Sequence, residues 1–215
     1  MIDLHTHTLF SDGALIPSEL IHRAEIKGYR AIAITDHADS SNIDFIIPRV
    51  VKVCNDLNKV NKKIKAIPGI EISHVPPQLI PSLVKEARKL GAKLVLIHGE
   101  TIVEPVEPGT NRAALESDID ILTHPGHITK EDTLLAAKNG VYLELSTRKG
   151  HSLANGHVAK MARETGAKLV LCTDAHHYTD LITKGEAIKV AKVAGLSEKE
   201  LKTLFKNAQE IADRC

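Results

Sequence analysis

The chain has 215 residues, with 28 Lys and Arg against 27 Asp and Glu, so its formal charge is only +1. That length suits one domain with a sizeable core, and the near balance of charge weighs against a protein built mainly to hold nucleic acid. Three Phe, three Tyr and no Trp weigh against a stacking platform for single-stranded bases.

The first predicted strand is Ile2–His5, followed by a helix over Pro17–Lys27 that opens on a proline and stops before Gly28. A strand at Ala31–Thr35 leads into a long amphipathic helix, Ile43–Asn61, striped by Val50, Val53, Cys54 and Leu57. Next come a strand at Ala66–Ile72, a helix at Pro81–Leu90, and strands at Leu94–His98 and Ile119–Thr123. A helix at Lys130–Lys138, a strand at Val141–Leu145, a helix at Val158–Thr165 and a strand at Leu169–Thr173 continue the alternation. Gly91, Gly140 and Gly166 stand where left-handed C-caps belong. Helices over Lys184–Ala194 and Glu198–Asp213 close the chain, the second behind a capping box starting at Ser197.

Short strands that are apolar at nearly every position suit a parallel sheet buried on both faces. Strand–helix alternation along the whole length implies a parallel α/β fold. Polar, chemistry-bearing residues follow nearly every strand, which favours a closed barrel over an open sheet with one switch point. The expectation is a seven-stranded, TIM-like α/β barrel in a single domain over residues 1–215. Cys54, Cys172 and Cys215 have no CxxC spacing, which fits a reducing cytoplasm. The Met1–His5 start lacks the basic and long apolar regions of a signal peptide. No apolar run approaches the ~18 residues of a membrane span.

Twelve histidines are the unusual feature. In extended backbone, residues two apart point the same way, so His5 and His7 can present imidazoles to one ion, with Asp12 in the loop beyond. Later strands end in Asp36-His37, Glu71, His98, His124 and Asp174-Ala175-His176. In a parallel barrel these ends share one face. The set His5, His7, Asp12, His37, Glu71, His98, His124, Asp174 and His176 exceeds the needs of one tetrahedral ion and suits two or three. Imidazole and carboxylate without thiolate fit Zn, Mn or Fe. Without such cations the crowded groups repel and stay unsatisfied.

Asp3-Leu4-His5-Thr6-His7 with Ser11-Asp12-Gly13, Thr35-Asp36-His37, Gly69-Ile70-Glu71, His98, Thr123-His124-Pro125-Gly126 and Thr173-Asp174-Ala175-His176 resemble, in order, the PHP (polymerase and histidinol phosphatase) family. The resemblance spans essentially the full chain and is to a stand-alone domain. It implies a distorted (β/α)7 barrel, a trinuclear metal centre and phosphoesterase activity. By position, His5, His7, Glu71 and Asp174 resemble the ligands of one metal, with Glu71 bridging to a second that His98 and His124 also hold. Asp12, His37 and His176 resemble a third set; some members carry His where Asp12 stands.

The implied chemistry is in-line attack on phosphorus by a metal-activated hydroxide, with Glu71, Asp174 and Asp36 as the catalytic carboxylates. Asp36 is expected to orient a ligand or take part in proton transfer. Arg148, after the sixth strand, is the candidate phosphate clamp; a solvated basic loop is the plainer alternative. His74, His127, His151, His157 and His177 flank strand ends, and His151 and His177 are the candidates for substrate contact. The expected substrate is a small phosphate monoester of the histidinol phosphate type. A phosphodiesterase or exonuclease acting on nucleotides or DNA ends, and a non-catalytic barrel scaffold, are the alternatives.

Overall fold

The computed structural model describes residues 1–215. In β5 (Leu94–His98), Leu94 and Leu96 join one apolar cluster while Val95 and Ile97 join another. Strand side chains alternate between faces, so the first cluster fills the barrel and the second lies between strands and helices. His98 continues the inward parity of Leu94 and Leu96. In β4 (Lys65–Ile72) the inward Ile67 leads by twos to Glu71, and in β7 (Tyr142–Ser146) Tyr142 leads to Glu144. Each strand thus packs apolar side chains at its start and delivers a polar one at its end.

The remaining strands are β1 (Ile2–Asp3), β2 (Ala31–Ile34), β3 (His37–Ala38), β6 (Ile121–Thr123) and β8 (Leu169–Cys172). All pairings are parallel, in the order β1-β2-β4-β5-β6-β7-β8, with β3 paired only to β4. Between them run α1 (Pro17–Ile26), α2 (Ile43–Val60), α3 (Ile80–Leu90), α4 (Thr110–Leu115), α5 (Lys130–Asn139) and α6 (Asn155–Thr165). The chain ends with α7 (Lys184–Val193) and α8 (Glu198–Arg214). The result is the distorted, nearly closed parallel barrel of the α/β class that the sequence predicts.

Closure between the first and last strands is mostly made beyond their ladders. Thr6 bridges Ala175, the His7 amide donates to the Ala175 carbonyl at 2.8 Å, and the Asp174 amide donates to the His5 carbonyl at 3.0 Å. Below them the buried Asp3 carboxylate accepts from the Thr173 amide (3.1 Å) and hydroxyl (2.5 Å). Ala208, Ile211 and Ala212 of α8 complete the inner cluster, where α8 packs on β1 and β8. No helix is long and apolar enough to cross a membrane.

Gly91, Gly140 and Gly166 are the left-handed C-caps of α3, α5 and α6, and Ser197 makes the predicted capping box with Glu200. Three features differ from the sequence expectation. The two-residue β3 and six-residue α4 are too short to imprint a period on the sequence. The first strand pairs with β2 only over Ile2–Asp3; beyond it the chain is held by the Thr6 bridge to Ala175 and the Thr6 hydroxyl's bond to the Ala33 carbonyl.

Candidate metal centre

Six strand ends converge on one buried cluster. The Nε2 atoms of His5 and His7 lie 3.0 Å apart. His5 Nε2 is 3.3 Å from Glu71 Oε1, and His7 Nε2 is 3.1 Å from Asp174 Oδ1. Glu71 also reaches His37 Nδ1 at 2.7 Å and His124 Nε2 at 3.7 Å, so one carboxylate touches imidazoles from three other strand ends. Asp12 lies 3.7 Å from His37 Nε2 and 3.2 Å from His176 Nε2, with the His7 ring 4.1 Å from those of both His37 and His176. The His98 and His124 rings are 4.4 Å apart, edge to face. All nine predicted ligands therefore meet at one mouth, where Asp12, His37, His98, His124, Asp174 and His176 line a cavity of about 380 Å³.

The electrostatics call for cations. Burial alone would lower the His5 pKa, yet Glu71, Glu144 and Asp174 override it and hold the imidazole well above its usual range. Burial and the neighbouring His37 push His7 well below that range, and burial with His98 does the same to His124. Burial would raise Glu71, but His5 and His37 hold it well below the usual carboxylate range. The buried Nδ1 atoms of His7, His98 and His124 have no hydrogen-bond partner. Such a crowd of imidazoles, some holding a proton and some not, among ionised carboxylates stripped of water fits divalent ions in place of the protons. Cys172 stands nearby, but burial raises its thiol well above the ordinary value, leaving nitrogen and oxygen as the donors.

Around this set, other groups hold the imidazoles in place. Glu144 Oε1 is 2.8 Å from His5 Nδ1, while its other oxygen accepts from the His124 amide at 2.9 Å. His37 Nδ1 meets Ser73 Oγ at 2.7 Å, and His176 Nδ1 meets the Asp174 carbonyl at 3.0 Å. These contacts leave Nε2 of His5, His37 and His176 facing the cluster, as ligating histidines require. His124 and Asp174 have positive φ, 24° and 53°, as does His74 at 54°. Non-glycine residues pay strain there, and such strain collects at functional sites.

Asp36, by contrast, is not brought to the cavity. It is fully buried and accepts from the Thr8 amide (2.6 Å), the Thr8 hydroxyl (2.8 Å) and Ser11 (2.9 Å), and burial raises its pKa. It holds the turn that carries Asp12. His177 also stands off the cavity, bonded to Thr179 Oγ1 at 2.8 Å. His151 is on the wall, its ring stacked 4.1 Å from that of His124. Arg148 lines the mouth, donates to the Asp174 carbonyl at 3.1 Å and lies 2.5 Å from His176 Nδ1.

Two wall residues fall outside the predicted ligand and substrate-contact sets. His74 follows β4 by two residues, the same offset that separates Asp174 from His176, and that spacing was a usable signal. Glu104 lies in an irregular loop with no periodicity to mark it, yet its carboxylate sits 3.0 Å from His98 Nε2.

A PHP domain model matches residues 3–184. An uncharacterized protein of Methanocaldococcus jannaschii is 47% identical over 214 residues, covering 99% of this chain and 98% of that one. A probable phosphatase of Thermoanaerobacter sp. is 29% identical, covering 92% of this chain and 88% of its own. Ribonuclease P protein component 3 of Methanosarcina mazei is 28% identical, with 88% and 79% covered. Among solved structures, a chain of archaeal ribonuclease P with mature tRNA superposes with a TM-score of 0.75 at 20% identity, covering 99% of this chain and 90% of that one. Histidinol phosphate phosphatase from Lactococcus lactis, complexed with zinc, L-histidinol and phosphate, gives 0.64 at 16% identity, covering 91% and 94%. At those identities the two structures speak to the fold.

Proposed function

The chain belongs to the PHP domain family, and on that premise we propose that it is a metal-dependent phosphatase that hydrolyses a small phosphate monoester. The carrying observation is the wedge of two buried carboxylates, Glu71 and Asp174, among the Nε2 atoms of His5, His7 and His124. His5, His7, Glu71 and Asp174 would hold one divalent ion, Glu71 with His98 and His124 a second, and Asp12, His37 and His176 a third. Zinc, manganese or iron fits these donors. Bound there, such ions acidify water and offset phosphoryl charge.

The chain's own groups do the rest. Arg148, with Nε 3.7 Å from Asp174 Oδ2, is placed to clamp phosphoryl oxygens. His151 has its Nδ1 engaged by Thr101 Oγ1 at 2.7 Å, which turns Nε2 into the cavity beside Glu104 and Asp174, where the phosphoryl group or the leaving oxygen would also meet it. Glu71 and Asp174 hold the imidazoles in register, and Asp36 does so indirectly through the Asp12 turn. The cavity's size and its single apolar lining residue, Ala38, support a small polar monoester over a stacked nucleobase. The similarity to a named probable phosphatase and to a phosphatase fold complexed with zinc and phosphate supports the same reading.

A second reading, a subunit of an RNA-processing assembly, is favoured by the TM-score of 0.75 against the ribonuclease P chain. Turnover of p-nitrophenyl phosphate and of its bis ester, with Mn²⁺ or Zn²⁺ added, tests the proposal alongside a panel of phosphorylated metabolites that includes histidinol phosphate. Faster hydrolysis of the monoester is the expected result. Bound ions with no hydrolysis of any ester would overturn it, and tight binding of tRNA would then support the assembly role.

A further inference from the structure

The loop between β5 and α4 begins on a tightly pinned base. Glu100 Oε1 accepts from the Gly109 amide at 3.0 Å and the Asn111 amide at 2.8 Å, closing the loop's two ends on each other. Asn111 in turn donates to the Pro125 carbonyl at 3.0 Å. Backbone from the β6 end approaches closely enough that a Cβ on Gly99 would lie 2.3 Å from the Thr123 carbonyl oxygen. One on Gly126, which has a φ of +58°, would lie 1.9 Å from that of Glu100. This base cannot slide without breaking several hydrogen bonds.

The loop tip presents an inverted polarity. Ile102 and Val103 are 42% and 46% exposed, while the charge that follows them, Glu104, turns toward the barrel mouth. Its Oε2 is 3.0 Å from His98 Nε2 and 3.4 Å from His74 Nε2, and its Oε1 is 3.4 Å from His151 Nε2. Three imidazoles, at or just beyond the ends of β4, β5 and β7, therefore share one carboxylate. His98 is buried, and its Nδ1 has no partner. His74 is held in the left-handed region at φ 54°, a strained placement that brings its ring within 4.6 Å of that of His98. An exposed carboxylate has no need of such an arrangement to be solvated. Nitrogen and oxygen donors this close, on one side of a cavity, are what a divalent ion gathers.

We infer that Glu104 and His74 are additional metal ligands, which with His98 close the centre on its solvent side and make the 99–109 loop part of the cation site. The inference rests on the metal-binding half of the proposed function and is independent of which ester is cleaved.

Equilibrium dialysis of the full chain against Mn²⁺ or Zn²⁺, followed by metal analysis, tests it together with hydrogen exchange of residues 101–108. Glu104→Gln and His74→Asn are each expected to lose one ion per chain or to bind the weakest ion at least about 10-fold less tightly. Metal should slow exchange of the loop in the wild type and not in Glu104→Gln. Glu107→Gln, a charge change on the same loop, should behave as wild type. Unchanged ion number and affinity in both ligand variants overturns the inference. So does a Glu104→Gln protein that keeps its ions and binds inorganic phosphate more tightly, since Glu104 would then occupy the anion's place. A wild-type chain that binds no ion overturns the proposed function as well, so the two failures are separable.

Discussion

Glu144 Oε1 lies 2.8 Å from Nδ1 of His5, with both side chains fully buried. Strand β7 carries none of the nine predicted ligands, yet through this contact it governs how one of them is presented. A carboxylate behind a ligating imidazole fixes its tautomer and raises its basicity. Glu144 also accepts from the His124 amide, tying two strand ends to one group.

Glu144→Gln is accordingly expected to weaken metal binding about 10- to 100-fold while the barrel stays folded. Metal titration followed by circular dichroism would check both halves. Wild-type affinity in the variant would show that His5 is oriented by other contacts.

Metal removal should both abolish turnover and destabilise the fold, because the buried carboxylates lose their counter-charge. Ions present at about 100 times their dissociation constant stabilise by about 2.7 kcal/mol per site, and a chain of this size loses roughly 2–4 °C in Tm per kcal/mol. Thermal melts with and without chelator, with ion loss confirmed by metal analysis, should differ by at least about 5 °C. Affinity should fall as the solution is acidified, since protons compete for imidazole and carboxylate alike.

Arg148→Ala removes the one guanidinium at the mouth. Charge-assisted bonds to phosphate are worth about 1.5–3 kcal/mol, so KM for a phosphate monoester should rise roughly 10- to 100-fold, with Arg148→Lys in between. Because Arg148 also contacts Asp174 and lies beside His176, metal content is measured in parallel. A KM unchanged at full occupancy would remove Arg148 from substrate binding.

Far from the centre, Glu200 caps α8 through Ser197 and pairs with Arg163 of α6 at 2.7 Å. The Arg163 guanidinium and, less strongly, the Ser197 hydroxyl and amide hold the Glu200 carboxyl down to about 2, below its ordinary 4.5. A depressed carboxylate contributes stability that is complete above pH 4.5 and lost as pH falls toward 2. Glu200 is 33% exposed, so solvent screening keeps this to roughly 0.5–1 kcal/mol. The urea midpoint of Glu200→Gln should trail wild type at pH 7, and the gap should narrow below pH 4. A gap independent of pH would assign the effect to packing.

Much of this protein is local and therefore legible in the sequence. The strands announce themselves as apolar runs because both faces are buried, and glycines mark helix ends because only they enter the left-handed region cheaply. Glu71 stands out within an apolar strand, and His5 and His7 pair by the two-residue period. What the linear pattern cannot contain is which side chains from distant strand ends meet. Asp36 and His177 read like site residues, but folding turns one into the anchor of the Asp12 turn and leaves the other beside Thr179. Glu104 reads like a loop residue, and only the pinned 99–109 loop brings it to His74, His98 and His151. Backbone periodicity is set by neighbours along the chain. Convergence at the barrel mouth is set by closure of the sheet and by loops whose paths no period encodes.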